Sequence, residues 1–178
     1  MSARLAEAFD HFRPQTPEEA ADVERGRALL GGDAFSRSTP FHVTGSALVV
    51  HPPTGRVLLR WHDRQQAWLQ VGGHADPGEV DPYATALREG EEETGLTDLR
   101  PWPGPEPAIV QVVAVPVPAG KGEPPHEHLD VRYLLATEQP EDARPENPTA
   151  ELRWLRVAEA LDLVSEENLR VLLRRLDL

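Results

Sequence analysis

Asp81-Pro82 and Gly95 bracket the segment that most restricts how this chain can fold. An aspartate followed by proline starts a helix strongly, because the carboxylate caps free backbone N–H groups and proline suits the first helical position. A glycine after the last turn supplies a left-handed stop. The spacing predicts a helix from about 82 to 94. At about 100° per residue, Tyr83, Ala86, Leu87, Gly90 and Thr94 fall on one arc, while Glu89, Glu92 and Glu93 share another. The first arc reads as a buried stripe. The second crowds like charge, at a cost of roughly 0.2–0.5 kcal/mol for each i, i+4 pair in water.

Strand-like runs flank this helix on both sides. HVTGSALVV from His42 to Val50, VLLRWH from Val57 to His62 and AWLQV from Ala67 to Val71 precede it. IVQVVAVPV from Ile109, LDVRYLLAT from Leu129 and LRWLR from Leu152 follow it. Two short helices are expected between Ser2 and about Leu30, broken at Pro14 and ended by Gly31-Gly32. SEENLRVLLRRLDL, with Ser165 as its N-cap, closes the chain as a packing helix. The expected fold is an α/β or α+β sandwich, a mixed β-sheet flanked by helices.

A chain of 178 residues suits one globular unit. Its expected organisation is an N-terminal helical extension over 1–35, a central domain over 36–163 and the packing helix over 164–178. The net charge of −12 argues against a sequence-independent grip on duplex DNA or an anionic membrane. The single lysine, Lys121, is assigned no role. With no cysteine, disulfides, thiolate metal sites and cysteine nucleophiles are excluded together. No apolar run approaches a membrane span and the N-terminus lacks an apolar signal core, so a cytoplasmic protein is expected. Monomer and homodimer both remain open.

The acidic arc offers hard oxygens that suit Mg²⁺ or Mn²⁺, although a solvated charged face has the same spacing. Gly72-Gly73, just before it, allows unusual backbone angles and can turn a carbonyl toward an ion. Glu79 is close enough in the chain to pair with Arg88. His126, His128 and Asp130 alternate and share a face if their strand starts early; they then meet phosphates or a second cation, or else form a solvated loop edge. His74 has the same standing. Trp61, Trp68 and Trp154 are assigned to the core rather than to base stacking.

Gly73, Glu79, Arg88, Glu89, Glu92, Glu93, Gly95 and Leu96 together resemble the signature of the Nudix hydrolases. That signature reads Gly, five residues, Glu, seven residues, then Arg-Glu-apolar-x-Glu-Glu-x-Gly-apolar. This chain departs from it twice: eight residues separate Glu79 from Arg88, and Gly90 takes the apolar slot. The extra residue is placed before or at the helix start, where it leaves the glutamate register intact.

The resemblance covers about residues 36–163. It implies metal-dependent hydrolysis of a diphosphate linkage in a nucleoside diphosphate derivative, a small anionic substrate of nucleotide type. By the same resemblance Glu89, Glu92, Glu93 and the Gly72 carbonyl hold Mg²⁺ or Mn²⁺, and Arg88 with Glu79 positions the loop. The general base is one of Glu89, Glu146 and Glu151, with Glu89 ranked first. His74, His126, His128 and Asp130 are the candidate substrate contacts.

Isopentenyl diphosphate isomerase shares the fold but resembles a cysteine-dependent catalyst, which this chain cannot be. A degenerate Nudix module that binds nucleotides or regulates without cleaving is the alternative. No residue pattern identifies the substrate.

Overall fold

The computed structural model describes residues 3–120 and 124–178. Lys121 and the centre of its Pro/Gly loop lie outside the described residues. The helices are α1 (Ala3–His11), α2 (Pro17–Leu29), α3 (Pro82–Thr94), α4 (Val157–Leu163) and α5 (Glu167–Arg174). The strands are β1 (Phe41–His51), β2 (Arg56–His62), β3 (Ala67–Leu69), β4 (Val71–His74), β5 (Arg100–Pro101), β6 (Gln111–Val117), β7 (His126–Ala136) and β8 (Leu152–Arg156).

Among the described residues these strands form one mixed sheet around β1. β1 runs parallel to β7 along its length, from Phe41↔Glu127 to Val50↔Ala136. Its other edge pairs antiparallel with β4 over Thr44 to Ala47 and then with β2 over Val49 to His51. β8 and β3 extend the sheet beyond β2, and β5 and β6 pair with β7.

The predicted strand over 67–71 is two strands. β3 stays with β2, but after Gln70 the chain changes partner and β4 joins β1. Gly72, at φ +149, belongs to this changed course. A side chain there would collide with Ser46, its cross-strand partner. The change of partner carries the glycine pair alongside α3.

Alternation along β1 separates two apolar layers. Val43, Ala47 and Val49 face one core, shared with Leu5 and Phe9 of α1, Val23 of α2 and Ala86 of α3. Leu48 and Val50 face the other, with Ala160 of α4 and Leu169, Leu172 and Leu173 of α5. Helices thus cover both faces of the sheet. The tryptophans belong to these layers: Trp61 and Trp68 to the α5 side, Trp154 to the α3 side.

Local sequence explains the helix ends. Asp81 accepts from the Tyr83 N–H, Pro82 opens α3, and Gly95 stops it at φ +68. Thr16 caps α2 by accepting from the Glu19 N–H at 3.1 Å. One expectation differs. The N-cap of α5 is Glu166 rather than Ser165, with no side-chain cap bond. The segment after LRWLR, for which no element was predicted, forms α4, and the N–H of its N-cap Arg156 donates to Glu159 at 2.8 Å.

Candidate active site

Gly45 of β1 decides where α3 sits. A Cβ there would run into the Pro82 carbonyl and stand 3.0 Å from the Ala86 nitrogen, so only glycine lets the helix backbone rest on the strand. From this docking, Glu89 and Glu93 point back over β4. A Cβ on Gly73 would lie 2.5 Å from Glu89 Oε1, and the Gly72 N–H donates to Glu93 Oε2 at 3.0 Å.

Glu92 turns outward. Its side chain is 57% exposed, against 17% for Glu89 and 11% for Glu93, so the arc predicted as one stripe has a buried and an open part. The difference follows from the glycine pair of β4, which lies against Glu89 and Glu93.

Arg88 joins the loop to the helix. Its Nε and Nη2 donate to the two oxygens of Glu79 at 3.0 and 3.1 Å, a fork that only arginine provides. Nη2 also donates to the His74 carbonyl at 2.9 Å, and Nη1 reaches Glu89 and Glu92 at 3.0 Å each. Thr85 donates to Glu79 at 3.1 Å. The extra residue between Glu79 and Arg88 is therefore absorbed before α3, and the pair forms in spite of it.

Burial sets the charge states. The Glu93 carboxyl is pushed up from 4.5 to about 7 by desolvation, against the opposing pull of the Arg60 charge and the Gly72 N–H. Desolvation also raises Glu89, although Arg88 opposes it. Glu79 is held below the usual range chiefly by its bond to Arg88. These two desolvated carboxylates, a third beside them and the glycine backbone fit a hard divalent cation, which would neutralise charge that the fold leaves crowded.

Arg60 of β2 extends the group. Its Nε stands 3.3 Å from Glu93, and its Nη2 donates to Glu146. Glu146 is thus carried to the edge of the acidic site. Glu151 is not; its carboxylate pairs with Arg153 at 2.7 Å in the open. Sequence reading missed Arg60, and the signal was an arginine inside the apolar run VLLRWH.

The histidines lie elsewhere. Because Gly73 faces Glu89, His74 alternates to the opposite side of β4, the side of Gly72 and Ser46. There His42, His74, His126 and His128 converge, with one ring nitrogen from each within 4.8 Å of the others. His42, buried on β1 opposite His128, was not singled out from sequence. His74 is pushed down to about 3 by burial first and then by the charges of His128, Arg37, His42 and His126, so it is neutral near pH 7.

Asp130 was expected among the substrate contacts. It is buried and accepts from Thr44, Ser46, Gln70 and Arg132 at 3.0, 2.6, 3.3 and 2.7 Å. Burial raises its pKa, but the Arg132 charge and these bonds outweigh that and hold it below the usual range. A cavity of about 770 Å³ between α1, the start of α3 and α5 is also separate, since none of Glu89, Glu92 and Glu93 lines it.

The family model of the NUDIX domain matches residues 40–176. The chain belongs to this family. The Nudix match takes in α5 as well as the sheet. Among curated proteins, a probable DHNTP pyrophosphohydrolase of Lactococcus lactis subsp. cremoris (strain MG1363) is 34% identical over 87 residues. That match covers 49% of this chain, and the chain spans about half the length of that relative.

Solved Nudix structures share the fold at lower identity. A C. elegans Ap4A hydrolase binary complex is 20% identical, with TM-score 0.57, covering 74% of this chain and 92% of its own. The E. coli dihydroneopterin triphosphate pyrophosphohydrolase is 18% identical, with TM-score 0.55, covering 77% and 94%. The NUDIX domain of Shewanella oneidensis NrtR, complexed with ADP ribose, is 17% identical, with TM-score 0.54, covering 73% and 82%.

Proposed function

We propose that this Nudix chain hydrolyses a diphosphate linkage in a nucleoside diphosphate derivative, using Mg²⁺ or Mn²⁺ held by Glu89, Glu92 and Glu93 beside the Gly72 backbone. The observation that carries this reading is the pair of desolvated carboxylates, Glu89 and Glu93, folded against Gly72-Gly73 with raised proton affinity. A merely solvated charged face would leave both carboxylates in water. Family membership and a relative named as a pyrophosphohydrolase support the same reaction.

The bound cation supplies charge neutralisation on phosphate oxygens and makes water more acidic. The chain's own residues do the rest. Arg88, bonded to Glu79 and to the His74 carbonyl, fixes the loop at the height of the carboxylates. Glu89, half-buried and raised in pKa, accepts the proton from the attacking water at its carboxylate. Arg60 steadies Glu93 and brings Glu146 to the rim.

The test is a panel of dihydroneopterin triphosphate, Ap4A, ADP-ribose, nucleotide sugars and oxidised nucleoside triphosphates, each with Mg²⁺ or Mn²⁺. The expected result is turnover of at least one diphosphate compound that stops in EDTA. In Glu92→Gln, turnover should fall by orders of magnitude while the fold persists, since Glu92 is mostly exposed and the change removes charge without altering shape. Undiminished turnover in Glu92→Gln would remove it from the metal site. Tight nucleotide binding with no turnover of any compound would favour the regulatory alternative.

A further inference from the structure

Four imidazoles meet on the face of β1 and β4 turned away from α3. His42 comes from β1, His74 from β4, and His126 and His128 from the start of β7. Parallel pairing sets His42 opposite His128, and antiparallel pairing sets His74 opposite Thr44, two residues from His42. The His128 Nε2 lies 3.1 Å from both the His74 Nε2 and the His126 Nε2. In a tetrahedral zinc shell with nitrogen ligands, neighbouring donor atoms stand about 3.3 Å apart.

The outer nitrogens of His42 and His126 are held as a ligand set requires. A backbone carbonyl only accepts, so the His42 Nδ1 donates to the Thr39 carbonyl at 2.8 Å and the His126 Nδ1 to the Pro124 carbonyl at 3.0 Å. In each neutral ring this leaves the lone pair on Nε2. Such outer bonds fix the tautomer and ring orientation of metal-binding histidines. One proton at the His128 Nε2 can bridge only one of its two contacts, whereas a central cation serves every nitrogen at once. The widest spacing lies within 4.8 Å, and the rings of His74 and His128 are half-buried, so drawing the four nitrogens into one shell calls for ring rotation and no change of strand pairing.

We propose that His42, His74, His126 and His128 form a second metal site, for a borderline divalent cation of the Zn²⁺ class, on the opposite face of the sheet from the acidic arc. The donor sets divide the two sites by chemistry. Neutral imidazoles suit Zn²⁺, Co²⁺ or Ni²⁺ and bind Mg²⁺ poorly, whereas the carboxylates of α3 suit Mg²⁺ or Mn²⁺. The Arg37 charge acts against a cation here, as it does on His74, so binding depends on the nitrogen shell itself. This site stands whether or not the acidic arc proves hydrolytic.

The test uses the full chain, stripped with a chelator and titrated with Co²⁺ and Zn²⁺ in millimolar Mg²⁺. The expected result is one bound equivalent, intense visible bands of tetrahedral Co²⁺ that Zn²⁺ abolishes, and a melting temperature raised by Zn²⁺. In His126→Ala/His128→Ala the Zn²⁺ affinity should fall by about a hundredfold or more and the bands should vanish, with the metal-free melt showing that the variant is folded. His126→Ala alone, at the strand's start, provides a milder loss if the double variant does not fold. In Glu92→Gln/Glu93→Gln the bands should remain. Wild-type binding no tighter than that of His126→Ala overturns the proposal, leaving a stack of histidines; so does loss of the bands in Glu92→Gln/Glu93→Gln, which assigns the ion to the carboxylates.

Discussion

Glu92 and Glu93 are neighbours in the chain with the same side chain, and the fold gives them opposite surroundings. Glu93 is buried and raised to about 7 chiefly by desolvation, so below about pH 4.5 it is protonated in both folded and unfolded states. Between that pH and about 7 the unfolded chain releases the proton while the folded one keeps it. The native state then binds more protons, and this contribution to stability is lost as pH rises through the folded pKa. Metal-free wild type should therefore lose melting temperature over this window relative to Glu93→Gln. Added Mg²⁺ at pH 8 should restore wild type and leave Glu93→Gln unchanged. Parallel melting curves for the two proteins across pH 4 to 8 would falsify the burial argument.

At the scale of elements, contact between α3 and the sheet rests on glycines. Gly45→Ala places a methyl against backbone atoms that have no rotamer to escape into, so α3 must lift from β1. The expected result is a loss of at least about 1–3 kcal/mol in denaturant unfolding, together with lost turnover as Glu89 and Glu93 leave the glycine pair. Wild-type values for both would show that the helix has room. Gly90 is the milder case, because a Cβ there would stand 3.0 Å from the tip of Leu99 and 3.4 Å from that of Leu135. Gly90→Leu overpacks this space by about 1–3 kcal/mol despite the better helix propensity of leucine. A more stable Gly90→Leu protein would contradict that packing. The placement of Gly90 was legible because helical periodicity is a local rule. Gly45 was not, since nothing near it in the chain announces that α3 will cross it.

Across the whole molecule, the N-terminal segment is part of the packed structure. Leu5 and Phe9 are buried in the same core as Val43 and Leu129. Glu19 of α2, 4% exposed, pairs with Arg175 at 3.1 Å just past α5 and accepts from the Val112 N–H of β6 at 3.3 Å. One carboxylate thus ties the first part of the chain to the last. Glu19→Ala leaves Arg175 largely covered and unpaired, and should cost about 3–5 kcal/mol in a single cooperative unfolding transition. A loss below about 1 kcal/mol, or a separate early transition, would show that the N-terminal helices are an independent appendage.

The sequence alone determined the bounds of α3, the main strand segments, the acidic set and the Arg88–Glu79 pair, because caps, periodicity and short loops act over a few residues. Even the extra residue before the helix was placed by the Asp81-Pro82 start. The tertiary structure alone decided that Glu93 is buried while Glu92 is open, that Asp130 is enclosed by Thr44, Ser46, Gln70 and Arg132, and that His42 and His74 meet His126 and His128 on the face of the sheet turned away from α3. Those outcomes depend on β1 lying parallel to β7 and on the chain leaving β2 after β3 so that β4 pairs with β1, pairings between segments far apart in the chain. A shift of one residue in either register moves every side chain to the other face, and no local rule encodes that choice.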